Sequence, residues 1–222
     1  LTAPMGIAGV AVALLVLNVL PADDSWLHLS DFRLNQFGKF LAFAILALGL
    51  DLIWGYCGVL SMGQGVFFGL GAYCMGMYLA LQIGTESVYG SELPDFMVWT
   101  QVKELPLFWY PFKSFVGGVL GAILVPVLFA TLFGFLAFRS RIKGVYFAII
   151  TQALAFAAWL VFNRNETRLG GTNGLTDFKQ ALGFRLSDPS TQRGLYILTV
   201  VALGAAYLFC RWIVASRAGK VL

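Results

Sequence analysis

Charge is scarce in this chain. Asp, Glu, Lys and Arg make up 12% of its 222 residues, about half the ~25% of an ordinary globular domain, and mean hydropathy is +0.80. That balance excludes a soluble core and points to an integral membrane protein. Histidine is nearly missing: His28 stands alone, and one imidazole without partners makes no metal centre. Cysteine is limited to Cys57, Cys74 and Cys210, all within apolar runs, where they read as small buried hydrophobes and not as a disulfide framework. No Walker-type phosphate loop occurs, since Gly219-Lys220 lacks both the earlier glycine and the following Ser or Thr. Ser-His-Asp, Cys-His and paired-carboxylate constellations are missing as well, so neither an enzyme nor a cofactor is expected. The net charge of +4 is small and gathers in short loops, a sign of membrane orientation and not of nucleic-acid binding.

What is present is apolar runs of membrane-spanning length. They predict an all-α, polytopic transmembrane helical bundle of about six spans, at 1.5 Å rise per residue. The spans read as Leu1–Leu20, Phe40–Cys57, Gly65–Ile83, Ser114–Phe138, Gly144–Phe162 and Gly194–Val214. Asp23–Lys39 reads as a polar loop. Gly84–Lys113 reads as a long loop, with Trp99, Phe108, Trp109, Tyr110 and Phe112 as an interfacial aromatic belt. Gly117, Gly118 and Gly121 give the fourth span a small-residue packing face, and Pro126 marks a kink. Arg139, Arg141 and Lys143, with Arg211, Arg217 and Lys220, place their loops in the cytoplasm. Alternation then puts the N-terminus inside and the Glu86–Glu104 loop outside.

The chain is organised around the stretch from Asp51 to Gly65. Gly55, Gly58, Ser61, Gly63, Gln64 and Gly65 interrupt two apolar runs there. Glycine lets helices approach closely or lets the backbone leave helical geometry. Irregular backbone at membrane depth is tolerated only where protein buries it or a cavity solvates it. Ser61 and Gln64 are therefore candidates for a solute path, and a tight interfacial turn is the structural alternative. Asp51, the only acid within an apolar run, costs ~2.5–3.5 kcal/mol at mid-bilayer and should face the bundle interior. It reads either as a pathway group or as an interhelical hydrogen bond.

The fifth span carries Tyr146, Thr151 and Gln152. Tyr146 and Thr151 stand roughly 140° apart round the helix, and Gln152 about 100° further on. They cannot all face lipid, so some line protein or water. An uncharged amide and a hydroxyl suit a small polar solute, while ordinary helix–helix hydrogen bonding is the other reading. After that span, Gly170-Gly-Thr-Asn-Gly174 predicts a tight turn in which Thr172 and Asn173 could cap an entrance.

The run Leu50-Asp-Leu-Ile-Trp-Gly-Tyr-Cys-Gly-Val-Leu-Ser-Met-Gly-Gln-Gly-Val-Phe-Phe68 resembles the glycine-rich signature of ABC-transporter permeases of the branched-chain amino-acid type. Arg141-Ile-Lys-Gly-Val-Tyr-Phe147 and Gly171-Thr-Asn-Gly-Leu-Thr-Asp177 resemble two further family segments. Asp51, Thr151-Gln152 and the Gly171–Asp177 wording look most like the urea-transport branch. The resemblance implies a multi-pass permease subunit of the bacterial inner membrane. Its implied partners are a second homologous permease, two cytoplasmic ATP-binding subunits and a periplasmic solute-binding protein. Ser216–Leu222, with Arg217 and Lys220, resembles the approach to a coupling loop on the ATPase. Residues 1–222 then form one transmembrane permease domain, incomplete at its C-terminus. The expected cargo is urea or a related small amide; branched-chain amino acids, or passive flow through a channel, are the alternatives.

Overall fold

The computed structural model describes residues 2–19, 29–87, 89–102, 104–142, 144–217 and 219. His28, Lys103, Lys143 and Lys220 lie outside the described residues. Among the described residues the chain is all-α apart from one short hairpin. Its long helices are α1 (Thr2–Val19), α2 (Asp31–Asp51), α3 (Gln64–Leu81), α5 (Phe115–Arg139), α6 (Val145–Phe162) and α7 (Pro189–Ala215), with a short α4 at Asp95–Trp99. Among the described residues five stretches are long and apolar enough to cross a membrane: Asp31–Tyr56, α3, α5, α6 and α7. The chain divides into two compact units, 1–58 with 187–222, and 59–186.

In the first unit α2 packs along α7, with α1 against both. The polar loop expected from Asp23 to Lys39 is not a loop throughout: α2 starts at Asp31, a favourable acid in the first turn of a helix. Likewise α7 starts at Pro189, ahead of the expected Gly194, because proline suits the first helical turn. The amide of Asn18 explains the early start of both helices. Asn18 is only 1% exposed; its Nδ2 donates to the Leu29 carbonyl (2.6 Å) and to Asp31 Oδ1 (3.0 Å). Its Oδ1 accepts from Arg193 Nε at 2.7 Å. The Tyr196 hydroxyl donates to the Ala11 carbonyl at 3.1 Å. One buried amide thus ties the ends of α1, α2 and α7 together.

At its other end α2 runs into a π-helical turn, Leu52–Tyr56. Gly58, at φ +65°, then takes the chain out of helix. With α2 lengthened in this way, Asp51 is not mid-span as expected but near the C-terminal end of a 26-residue helical stretch.

The second unit is built on the α3–α5 pair. Small residues set the approach. A Cβ on Gly71 would meet the Ala122 carbonyl at 3.0 Å, and one on Gly118 would meet Tyr78 Cβ at 3.0 Å. Gly121 lies against Phe112 and Cys74, so Gly118 and Gly121 serve the packing face expected of them. Above this pair Cys74, Met77, Ala80, Met97, Trp109 and Phe112 form the core. Trp109 and Phe112 are buried there and do not join the exposed aromatic belt expected of them; Trp99, Phe108 and Tyr110 remain exposed. The physical reason is the 3-10 segment Leu107–Lys113, which turns these two rings inward over α3 and α5. The loop after α6 carries the hairpin, Gln180–Ala181 (β1) against Phe184–Arg185 (β2), antiparallel.

Candidate functional site

The glycine-rich break is real and lies against α6. Gly58 through Ser61 is non-helical, Met62 and Gly63 form a turn, and α3 begins at Gln64. Ser61 is buried and Thr151 is 1% exposed. The Met62 backbone N–H donates to Thr151 Oγ1 at 3.0 Å, and that hydroxyl donates in turn to the Ala148 carbonyl at 2.9 Å. Gly63 closes the contact: a Cβ there would meet the Thr151 carbonyl oxygen at 3.2 Å and Thr151 Cβ at 3.3 Å. The hydroxyl has one donor, and the helix takes it. Thr151 therefore acts on the break by holding it, and has no hydrogen left to offer a solute.

Beyond this latch a cleft of about 430 Å³ opens between α3 and α6. From α3 it takes Gly65, Gly69 and Tyr73, at intervals of four, which puts them on one helix face. From α6 it takes Ala155, Ala158, Trp159 and Phe162, a face continuous with Thr151. Small residues on both helices keep the space open, and the Tyr73 and Phe162 rings, 4.2 Å between centroids, form an aromatic wall. One end is capped by Asn163 and the turn Gly171–Gly174. That turn exists because Gly170, Gly171 and Gly174 all take positive φ (99°, 57° and 67°), a region open to glycine at no steric cost. Among the described residues no Asp, Glu, Lys or Arg lines the cleft. Among the described residues its polar groups are the Tyr73 phenol, the Trp159 indole N–H, the amides of Asn163 and Asn173, the Thr172 hydroxyl and backbone of the turn.

The expected residues divide accordingly. Thr172 and Asn173 line the cleft at its capped end. Ser61, Gln64 and Thr151 sit at the break, Gln64 half-buried at the start of α3. Tyr146 is 75% exposed and Gln152 is exposed, so the structure does not bring them to the cleft. Asp51 is exposed on the first unit and does not sit in a packed interior. Gly55 makes room for its carboxylate, since a Cβ there would lie 3.2 Å from Asp51 Oδ1. Arg217 is exposed just past α7, where Ser216 Oγ donates to the Ile213 carbonyl at 2.6 Å. The cleft's own lining, Tyr73, Asn163 and Trp159, was not foreseen. The available signal was the four-residue spacing of Gly65, Gly69 and Tyr73 facing Thr151, Ala155 and Ala158. No group of three His, Cys, Asp or Glu side chains that could hold a metal occurs among the described residues.

An uncharged, aromatic-walled cleft beside a broken helix, on a chain of membrane-length helices, is suited to passing a small solute. The comparison with known families decides what kind of protein carries it. Residues 32–222 match the family model described as the permease component of branched-chain amino acid transport systems. The chain belongs to that family. No curated protein and no solved structure matches it. The permease is therefore a multi-pass membrane component of an ABC transport system, whose family works with ATP-binding and substrate-binding partners.

Proposed function

We propose that this permease forms the translocation path for urea or a related small amide, and that the path follows the α3–α6 cleft. The observation that carries the reading is the cleft's uncharged lining. A neutral amide has one carbonyl acceptor and amino donors, which hydroxyls, amides and backbone groups can satisfy. A zwitterion would require charged or helix-end partners for its carboxylate and ammonium; among the described residues the cleft holds no charged side chain and offers only the ends of α3 and α6. The resemblance of Asp51, Thr151-Gln152 and Gly171–Asp177 to the urea-transport branch supports the same cargo. The second reading is a branched-chain amino acid, which the family description favours. In the proposed assembly the chain pairs with a second homologous permease in a bacterial inner membrane. Two cytoplasmic ATP-binding subunits drive the pair, and a periplasmic solute-binding protein supplies it. Ser61 and Gln64 contact the solute at the break, Thr172 and Asn173 at the far end, and Arg217 with Lys220 lies on the approach to the ATPase.

Obstruction tests the path. Ala155→Leu and Ala158→Trp fill the cleft from α6 without touching the α3–α5 core. In the assembled transporter each should abolish urea uptake while the complex still purifies intact. Unimpaired uptake in both variants would place the path elsewhere.

A further inference from the structure

The α2–α7 pair carries an aspartate on α2 and an arginine on α7 near each of its ends. At one end the pair is closed: Arg193 Nη2 lies 3.8 Å from Asp31 Oδ1, and the buried Asn18 amide bridges them. At the other end Asp51 and Arg211 line a single cleft of about 360 Å³, together with Tyr56, Tyr207 and Cys210. No ion pair joins Asp51 to Arg211 among the described residues. The contrast matters because Asp51 and Arg211, near the C-terminal ends of their helices, stand open to a ligand where Asp31 and Arg193 are closed to one. The two groups are also chemically opposite. A carboxylate only accepts hydrogen bonds, a guanidinium only donates them, and the two phenols do either.

A molecule held between them must present amino donors at one side and a carbonyl-type acceptor at the other. Urea and simple primary amides do so without net charge. We infer that the Asp51–Arg211 cleft of the first unit is a second solute station, in which Asp51 accepts from the amino groups and Arg211 donates to the carbonyl oxygen. The inference rests on the transport of a small amide proposed above and assigns that solute a site separate from the α3–α6 cleft. The two phenols flank the solute, and the π-helical turn holds Asp51 at the cleft because Gly55 leaves its carboxylate room.

Cys210 gives a direct readout, since it lines the same cleft. The experiment uses the full transporter in phosphatidylcholine vesicles, which lack anionic headgroups that could occupy Arg211. Cys57→Ser and Cys74→Ala, with the partner subunits' thiols removed, leave Cys210 as the reactive group. Its modification by a small methanethiosulfonate should slow at least threefold in saturating urea. In Asp51→Ala the urea concentration for half-protection should rise about tenfold or more, as expected for loss of a hydrogen bond to a charged group. Arg211→Lys, which keeps the charge but loses the fork, should show a smaller rise in the same direction. Urea uptake without any protection of Cys210 overturns the station and leaves the transport reading standing, as does protection undiminished in Asp51→Ala. Protection by leucine, with urea neither protecting nor transported, overturns the amide reading and the station's ligand together.

Discussion

The Thr151 latch makes the sharpest structural prediction. Thr151 Oγ1 accepts the Met62 N–H at 3.0 Å in a site where Thr151 is 1% exposed. Thr151→Val keeps the shape and removes the hydroxyl, leaving the Met62 amide without its acceptor. A buried donor stranded in this way costs about 1–3 kcal/mol, whereas an ordinary hydrogen bond contributes a net ~0.5–1.5 kcal/mol. Thr151→Ser keeps the hydroxyl and loses one methyl, about 0.8 kcal/mol. The two variants therefore separate hydrogen bonding from packing. Hydrogen exchange at the Met62 amide, followed in detergent or nanodiscs, reports local opening of the break. In Thr151→Val exchange should speed by roughly 5- to 150-fold, the range equivalent to that energy. In Thr151→Ser it should change by about fourfold or less. Equal protection of Met62 in the wild type and the valine variant would refute the latch.

Three further outcomes are expected. Asn18→Leu should lower thermal stability by about 1–3 kcal/mol, because it strands the Arg193 Nε donor and the Leu29 carbonyl. Asp31→Asn should cost under about 1 kcal/mol, since the Asp31–Arg193 pair is about one-third exposed and screened; a ranking reversed in thermal denaturation would contradict this account. A cysteine at Ser140 should be labelled from the cytoplasm and one at Ser91 from outside, and labelling of both from the same face would break the alternation of spans.

Most of the helices were legible because apolar length is a strong signal, and α3, α5 and α6 begin and end close to where hydropathy places them. The early starts of α2 and α7 were hidden because their first turns are polar. They are stabilised by Asn18, a partner more than ten residues away from Asp31 in sequence and far from Arg193. The break at Gly58–Gly63 was readable from its glycines, but its anchor on Thr151 was not, since that contact spans 89 positions. Trp109 misled for a similar reason: an aromatic in a polar loop reads as interfacial until a tertiary core claims it. The spacing of hydroxyls and amides on α6 showed that its faces differ, and only packing decided that Thr151 is buried while Tyr146 and Gln152 are exposed.

The central claim is that the α3–α6 cleft carries a small neutral amide. It is tested most directly by reconstituting the complete transporter and measuring ATP-dependent uptake of labelled urea and labelled leucine side by side. The account predicts that urea accumulates and that excess unlabelled leucine does not compete with it. Accumulation of leucine with no uptake of urea would contradict it.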